Sequence, residues 1–135
     1  HPVACAAALK SIEITEEEGL LENAARVGDY FLDRLKGLEA LPLVGQVRGR
    51  RLMVCVENVA SKLTKEPLPD GVNESKRISD AAEAMGLMVR PIGHLNVMSP
   101  PLVITEDQVA PFFHQAMALH PQSQPEALTF HLLAF

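Results

Sequence analysis

Leu20, Ala24, Val27, Phe31, Leu35 and Leu38 recur at intervals of three and four, which places all six on one side of an α-helix. A helix with so continuous an apolar stripe must cover it with another layer of structure, and this requirement governs what the rest of the chain can be. Gly19 breaks the pattern on the upstream side. Residues 2–18 before it also read as a helix, because Pro2 suits a first turn and the alanine run has high helix propensity. Its Val3, Ala6, Ala7, Leu9 and Ile14 form a small-residue face that another backbone could approach closely.

After Pro42 the texture changes. Val44–Arg48 and Leu52–Val56 read as two strands or a bent strand pair around Gly49, and residues 58–72, with two prolines and Asp70-Gly71, read as a surface loop. Asn73, Lys76, Ile78, Ala81, Ala82 and Met85 predict a third helix stopped by Gly86. Leu87–Val89 and Leu95–Met98 are further strand candidates across a turn at Pro91–His94. Thr105-Glu-Asp-Gln108 is a capping-box start for a fourth helix, which Pro111 should kink or shorten. The order helix, helix, strands, helix, strands, helix predicts an α+β fold, a small and largely antiparallel sheet with helices packed on one face. Residues 1–120 form the expected domain, and the tail 121–135 receives no assignment.

Composition narrows the function classes. The 135 residues suit one compact domain that buries about two-thirds of its unfolded surface. Twelve basic against 17 acidic residues give a net charge of −5, which argues against nonspecific nucleic-acid binding and against a polybasic membrane patch. No apolar run approaches the roughly 18 residues of a membrane-spanning helix. Cys5 and Cys55 are too few for a disulfide scaffold and lack metal-site spacing, so a reducing, cytoplasmic setting is expected. The chain enters an apolar stretch directly at His1, and the expectation is a piece of a longer protein.

Few residues suggest chemistry on their own. His1, His94, His114, His120 and His131 show no metal-ligand spacing, and no metal is expected. Glu16-Glu17-Glu18 point in different directions around a helix and read as a solvated face, and Cys5 reads as a small buried hydrophobe. Arg48, Arg50 and Arg51 lie together in a VRGRR run that could hold an anion or simply protect a strand edge. Arg90 follows the apolar run 87–89 and precedes Pro91. Its guanidinium would leave a rigid element at a turn, placed to grip a substrate carboxylate with two parallel hydrogen bonds.

Taken together, HPVACAAAL (1–9), PLVGQVRGRRLMVCVE (42–57), GLMVRPIG (86–93) and VMSPPLVITEDQV (97–109) resemble the C-terminal part of the class III, or ω-, aminotransferases of fold type I, in that family's order and approximate spacing. The resemblance implies the family's small domain, with a large PLP-binding domain supplied from upstream. It implies transfer of an amino group from an amine or amino acid to a keto acid or aldehyde, in a homodimer whose active sites lie at the subunit interface. The cofactor would be pyridoxal 5′-phosphate, held by a lysine of the large domain. Lys10, Lys36, Lys62, Lys65 and Lys76 all lie outside the matching stretches, so no catalytic or cofactor-binding residue is assigned and the chain alone is expected to be inactive. Arg90 corresponds to the family's substrate-facing arginine, which turns in toward a carboxylate and away from an apolar group. Arg51 stands where the family usually has glycine, and Cys55 where it has a small residue. The alternative from another class is a stand-alone α+β module that binds a carboxylate or a partner protein without catalysis.

Overall fold

The computed structural model describes residues 1–111 of the 135. Helix α1 spans Pro2–Glu17, with the proline in its first turn as expected. Gly19 then takes φ +60°, a left-handed conformation that costs glycine little, and redirects the chain into α2, Leu20–Lys36. Ala24, Val27, Gly28, Phe31 and Leu35 are the buried residues of α2, and Leu38 joins them from a 3-10 turn at Gly37–Ala40. The predicted stripe is therefore the one that packs.

It packs on a four-stranded sheet made of β1 (Val44–Arg50), β2 (Met53–Asn58), β3 (Arg90–Ile92) and β4 (Leu95–Met98). The strands lie in the order β1-β2-β4-β3 and every neighbouring pair is antiparallel. Helix α3, Glu74–Ala84, sits over β3 and β4 as α2 sits over β1. Val47, Val54, Val56 and Met98 enter the same core as the apolar faces of α2 and α3. The fold is α+β, with the helices on one face of a small antiparallel sheet. The loop before α3 is irregular apart from a 3-10 turn at Asp70–Val72.

Two boundaries differ from expectation. The β1–β2 turn is at Arg51-Leu52 and not at Gly49. Gly49 stays in the strand opposite Val54, where a Cβ would lie 2.8 Å from the Val54 Cα. Its role is close approach and not turning. Arg51 adopts φ +55°, and its guanidinium folds back to the Ala25 carbonyl and the Asp29 carboxylate on α2. The backbone of this turn lies against Gly28, where a Cβ would stand 2.7 Å from Leu52 N and nearer still to Arg51.

Similarly, 87–89 lies outside the sheet, and β3 begins at Arg90. The Leu87 amide donates to the Ala82 carbonyl at 2.8 Å, closing the end of α3 after Gly86, which has φ +83°. Leu87 and Val89 bury their side chains while their backbone serves the helix. Pro91 is tolerated because β3 is an edge strand.

After β4 the chain returns to α2. Asn23 Nδ2 donates to the carbonyls of Leu102 at 2.7 Å and Ile104 at 3.0 Å, and Arg26 pairs with Glu106. The Thr105 amide donates to Gln108 Oε1 at 3.0 Å and the Gln108 amide to Thr105 Oγ1 at 3.4 Å, the reciprocal pair a capping box requires. Helical backbone follows at 106–111. The expected effect of Pro111 further along this helix, His114, His120, His131 and the tail 121–135 lie outside the described residues.

Helix α1 departs from this economy, since none of its residues is buried. Val3 is 70% exposed and Leu9 69%. Cys5, expected to be buried, is exposed on it as well. An apolar face of that kind is expected to make the isolated chain self-associate or bind a hydrophobic dye. Sedimentation and dye fluorescence would test this, and a monodisperse, dye-silent monomer would contradict it.

Candidate functional site

Strand alternation sorts the sheet into two faces. Val47, Val54, Val56, Asn96 and Met98 turn toward the helices, so Arg48, Cys55, Glu57, Leu95, Val97 and Arg90 belong to the helix-free face. The pairings Arg48↔Cys55, Cys55↔Val97 and Val97↔Arg90 form one row across all four strands. An arginine stands at each end, separated by three strand spacings or about 14 Å.

The two arginines are in different states. Arg48 reaches Glu57 at 3.3 Å and Gln46 Oε1 at 3.3 Å, so its charge is already answered. His94 Nε2 lies 3.6 Å from the same Glu57 carboxylate. Arg90 is exposed at the sheet edge and has no carboxylate partner among the described residues. Its neighbours two residues away on either side, Met88 and Ile92, are exposed apolar groups. Arg50, on the same face at the far edge, is likewise without a carboxylate partner, but Arg90 alone of the two stands between exposed apolar side chains, suited to a ligand with a carboxylate and a nonpolar part. Contrary to the expected geometry, Arg90 opens a strand and does not leave a turn; the turn of the β3–β4 hairpin is Gly93-His94.

The VRGRR run does not gather three guanidinium groups. Arg48 and Arg50 share the helix-free side of β1, whereas Arg51 turns to α2 and pairs with Asp29. Cys55 sits half-buried between Arg48 and Val97. Burial pushes its thiol up, the Arg48 guanidinium opposes this, and the Glu57 carboxylate adds to it. The result is a poor nucleophile. Glu16, Glu17 and Glu18 are solvated as expected. Among the described residues no group of three or more His, Cys, Asp or Glu side chains could hold a metal, and no helix is long and apolar enough to cross a membrane.

Pattern reading missed the polar cluster behind the sheet. Asn58 and Ser75 are 1% exposed and Asn96 3%. Asn58 Nδ2 shares its two protons among Ser75 Oγ at 3.0 Å, the His94 carbonyl at 3.1 Å and Asn96 Oδ1 at 2.7 Å, while Asn96 Nδ2 donates to the Ser75 carbonyl at 2.9 Å. This cluster fastens α3 to β2 and β4. The signal was present in the alternation 54, 56, 58, which puts Asn58 on the buried side with two valines.

Comparison with known proteins decides the family. Aminotransferase class-III, as a family, matches residues 1–118. The chain belongs to the class III aminotransferases. Relatives of this family include an adenosylmethionine-8-amino-7-oxononanoate aminotransferase of Methanocaldococcus jannaschii, 41% identical over 105 residues, covering 78% of this chain and 23% of that protein. A taurine–pyruvate aminotransferase of Bilophila wadsworthia is 38% identical over 112 residues, covering 77% of this chain and 24% of its own length. Among solved structures, an ω-transferase of Vibrio fluvialis JS17 superposes with a TM-score of 0.89 at 35% identity, over 96% of this chain and 31% of that one. An amine transaminase from an uncultivated Pseudomonas species, in its PLP-bound form, gives 0.85 at 41% identity, over 90% and 28% of the two chains. The chain thus spans about a quarter of the length of the curated class III aminotransferases it matches.

Class III aminotransferases are PLP-dependent, a chemistry that needs a lysine amine held against the cofactor. All five lysines are exposed. Lys10 pairs with Glu13 at 2.8 Å and Lys76 with Asp80, while Lys62 donates to the Glu39 carbonyl and Lys65 to the Gly45 carbonyl. A surface lysine tied to a local oxygen is not an amine held against a cofactor aldehyde.

Proposed function

We propose that residues 1–120 form the small domain of a PLP-dependent class III aminotransferase, and that Arg90 is the residue that recognises the substrate carboxylate. The observation that carries this reading is the state of Arg90, an exposed guanidinium without a carboxylate partner at a strand edge, between Met88 and Ile92. Cofactor and Schiff-base lysine come from the large domain upstream. When bound, PLP supplies the electron sink for moving an amino group from an amine or amino acid to a keto acid or aldehyde. The chain's own contribution is binding and orientation. Arg90 clamps a carboxylate with two charge-assisted hydrogen bonds and turns away for a substrate without one. By itself the chain does not transaminate. The working enzyme is a homodimer of the longer protein. Two free cysteines, with no disulfide between them, favour a cytoplasmic setting.

The test is Arg90→Ala in the full-length enzyme. KM for a keto acid should rise roughly ten- to a hundredfold, the size of a lost charge-assisted contact. KM for an aldehyde acceptor lacking a carboxylate should stay unchanged. Equal changes for both acceptors would remove Arg90 from substrate recognition. Transamination by residues 1–135 alone would remove the division of labour between the two domains.

A further inference from the structure

Arg90 depends on a fastening that its own strand does not supply. Strand β3 is three residues long, and β4 is its sole neighbour in the sheet. On its upstream side the chain is held by Ser79, whose hydroxyl donates to the Val89 carbonyl at 2.6 Å. Val89 immediately precedes Arg90, and its side chain is buried in the core. Val89 is thus held twice, through its side chain by packing and through its carbonyl by a hydrogen bond from α3.

This bond is not the ordinary behaviour of a serine within a helix. There the hydroxyl usually returns to the carbonyl of the preceding turn. Here it reaches ten residues along the chain, from a half-buried position. One turn earlier on α3, the Ser75 carbonyl accepts from Asn96 Nδ2 at 2.9 Å, and Asn96 stands opposite Pro91, the residue after Arg90. The two serines, four residues apart on one helix face, therefore hold the entry to β3 and the strand it pairs with. Arg90 lies between these fastenings while its side chain remains free to swing.

The geometry points to Ser79 as a positioning residue for Arg90, fixing where the guanidinium stands when it meets a substrate carboxylate. This role rests on the reading of Arg90 given above. Without the hydroxyl, the Val89 carbonyl must turn to water, and the first residue of a three-residue edge strand shifts with it. A displacement near 1 Å of a substrate-positioning group lowers reaction efficiency by up to about a hundredfold, and a partial shift by about tenfold.

The experiment compares Ser79→Ala, Ser79→Thr, Arg90→Ala and the Ser79→Ala/Arg90→Ala double variant in the full-length holoenzyme, with a keto acid and a carboxylate-free aldehyde as acceptors. Ser79→Ala should raise KM for the keto acid roughly tenfold, with kcat and the aldehyde KM near native. Ser79→Thr keeps the hydroxyl and should restore the keto-acid KM. In the Arg90→Ala background, Ser79→Ala should add nothing. If the alanine variant gives little folded enzyme, Ser79→Cys, with its weaker donor, should show the same split at smaller size. Equal losses for both acceptors, or none for either, would overturn the positioning role while a selective Arg90→Ala effect left the Arg90 reading standing. A nonselective Arg90→Ala result would overturn both.

Discussion

Gly28→Ala is expected to destabilise the chain by about 3 kcal/mol and to lower its Tm by on the order of 10 °C. The added methyl would meet backbone and not a movable side chain, standing 2.7 Å from Leu52 N with the Arg51 main chain nearer still. Helix α2 and the β1–β2 turn would have to separate, opening the contact that buries Val27, Phe31 and Leu52. Arg51 cannot give way easily, because it already holds φ +55° and is tied to Ala25 and Asp29. Gly71→Ala is the control, since a Cβ there meets nothing within 4 Å. Thermal unfolding followed by circular dichroism checks the pair. If the two variants melted together, the close approach would have no energetic weight.

Asn58→Asp should cost more, about 3–5 kcal/mol at neutral pH, although it changes almost no volume. The Asn58 amide donates toward three oxygens, those of Ser75, His94 and Asn96, at a site 1% exposed. A carboxylate would face the same oxygens without a proton to offer and with little water to solvate it. Glu74, 8% exposed at the neighbouring Ser75, adds a second acidic group to the cluster. The pH dependence has a definite sign. Folding disfavours the ionised form, so the introduced carboxyl binds its proton more tightly in the folded state than in the unfolded chain. The deficit relative to the native chain is therefore largest at neutral pH and shrinks as pH falls and the group is protonated. Denaturant unfolding of both chains at several pH values measures this, and a pH-independent difference would contradict it.

Much of the fold was legible because burial leaves a period in the sequence. The stripe from Leu20 to Leu38 can be satisfied only by a helix lying on something, and the capping box at Thr105 announces a helix start by chemistry alone. Gly49 misled because glycine serves two purposes. It looked like a turn residue, yet its missing side chain lets two strands approach, while a strained arginine makes the turn. Leu87–Val89 misled for a related reason. Alternating burial is what a strand produces, but it equally marks a segment outside the sheet whose backbone bonds belong to a helix end and to Ser79. The candidate site was the least legible part. A single exposed arginine has no periodicity, and Arg90 stood out through its place in GLMVRPIG. Ser79 gave no sign, because a serine in a helix is ordinary until its hydroxyl is seen to reach elsewhere.

The bare surface of α1 means that the molecule has two stabilities and not one. A helix of 16 residues that buries none of them is held by little beyond its own hydrogen bonds, and that length is only just above the roughly 12–15 residues below which isolated helices are marginal in water. Its amides should exchange with solvent through local fraying, at a small fraction of the free energy that protects β2 and β4. Melting curves dominated by the sheet would leave this unregistered. The alanine-rich segment should therefore gain the rigidity of the rest only where another surface lies against it, and its exchange rate would report such a contact directly.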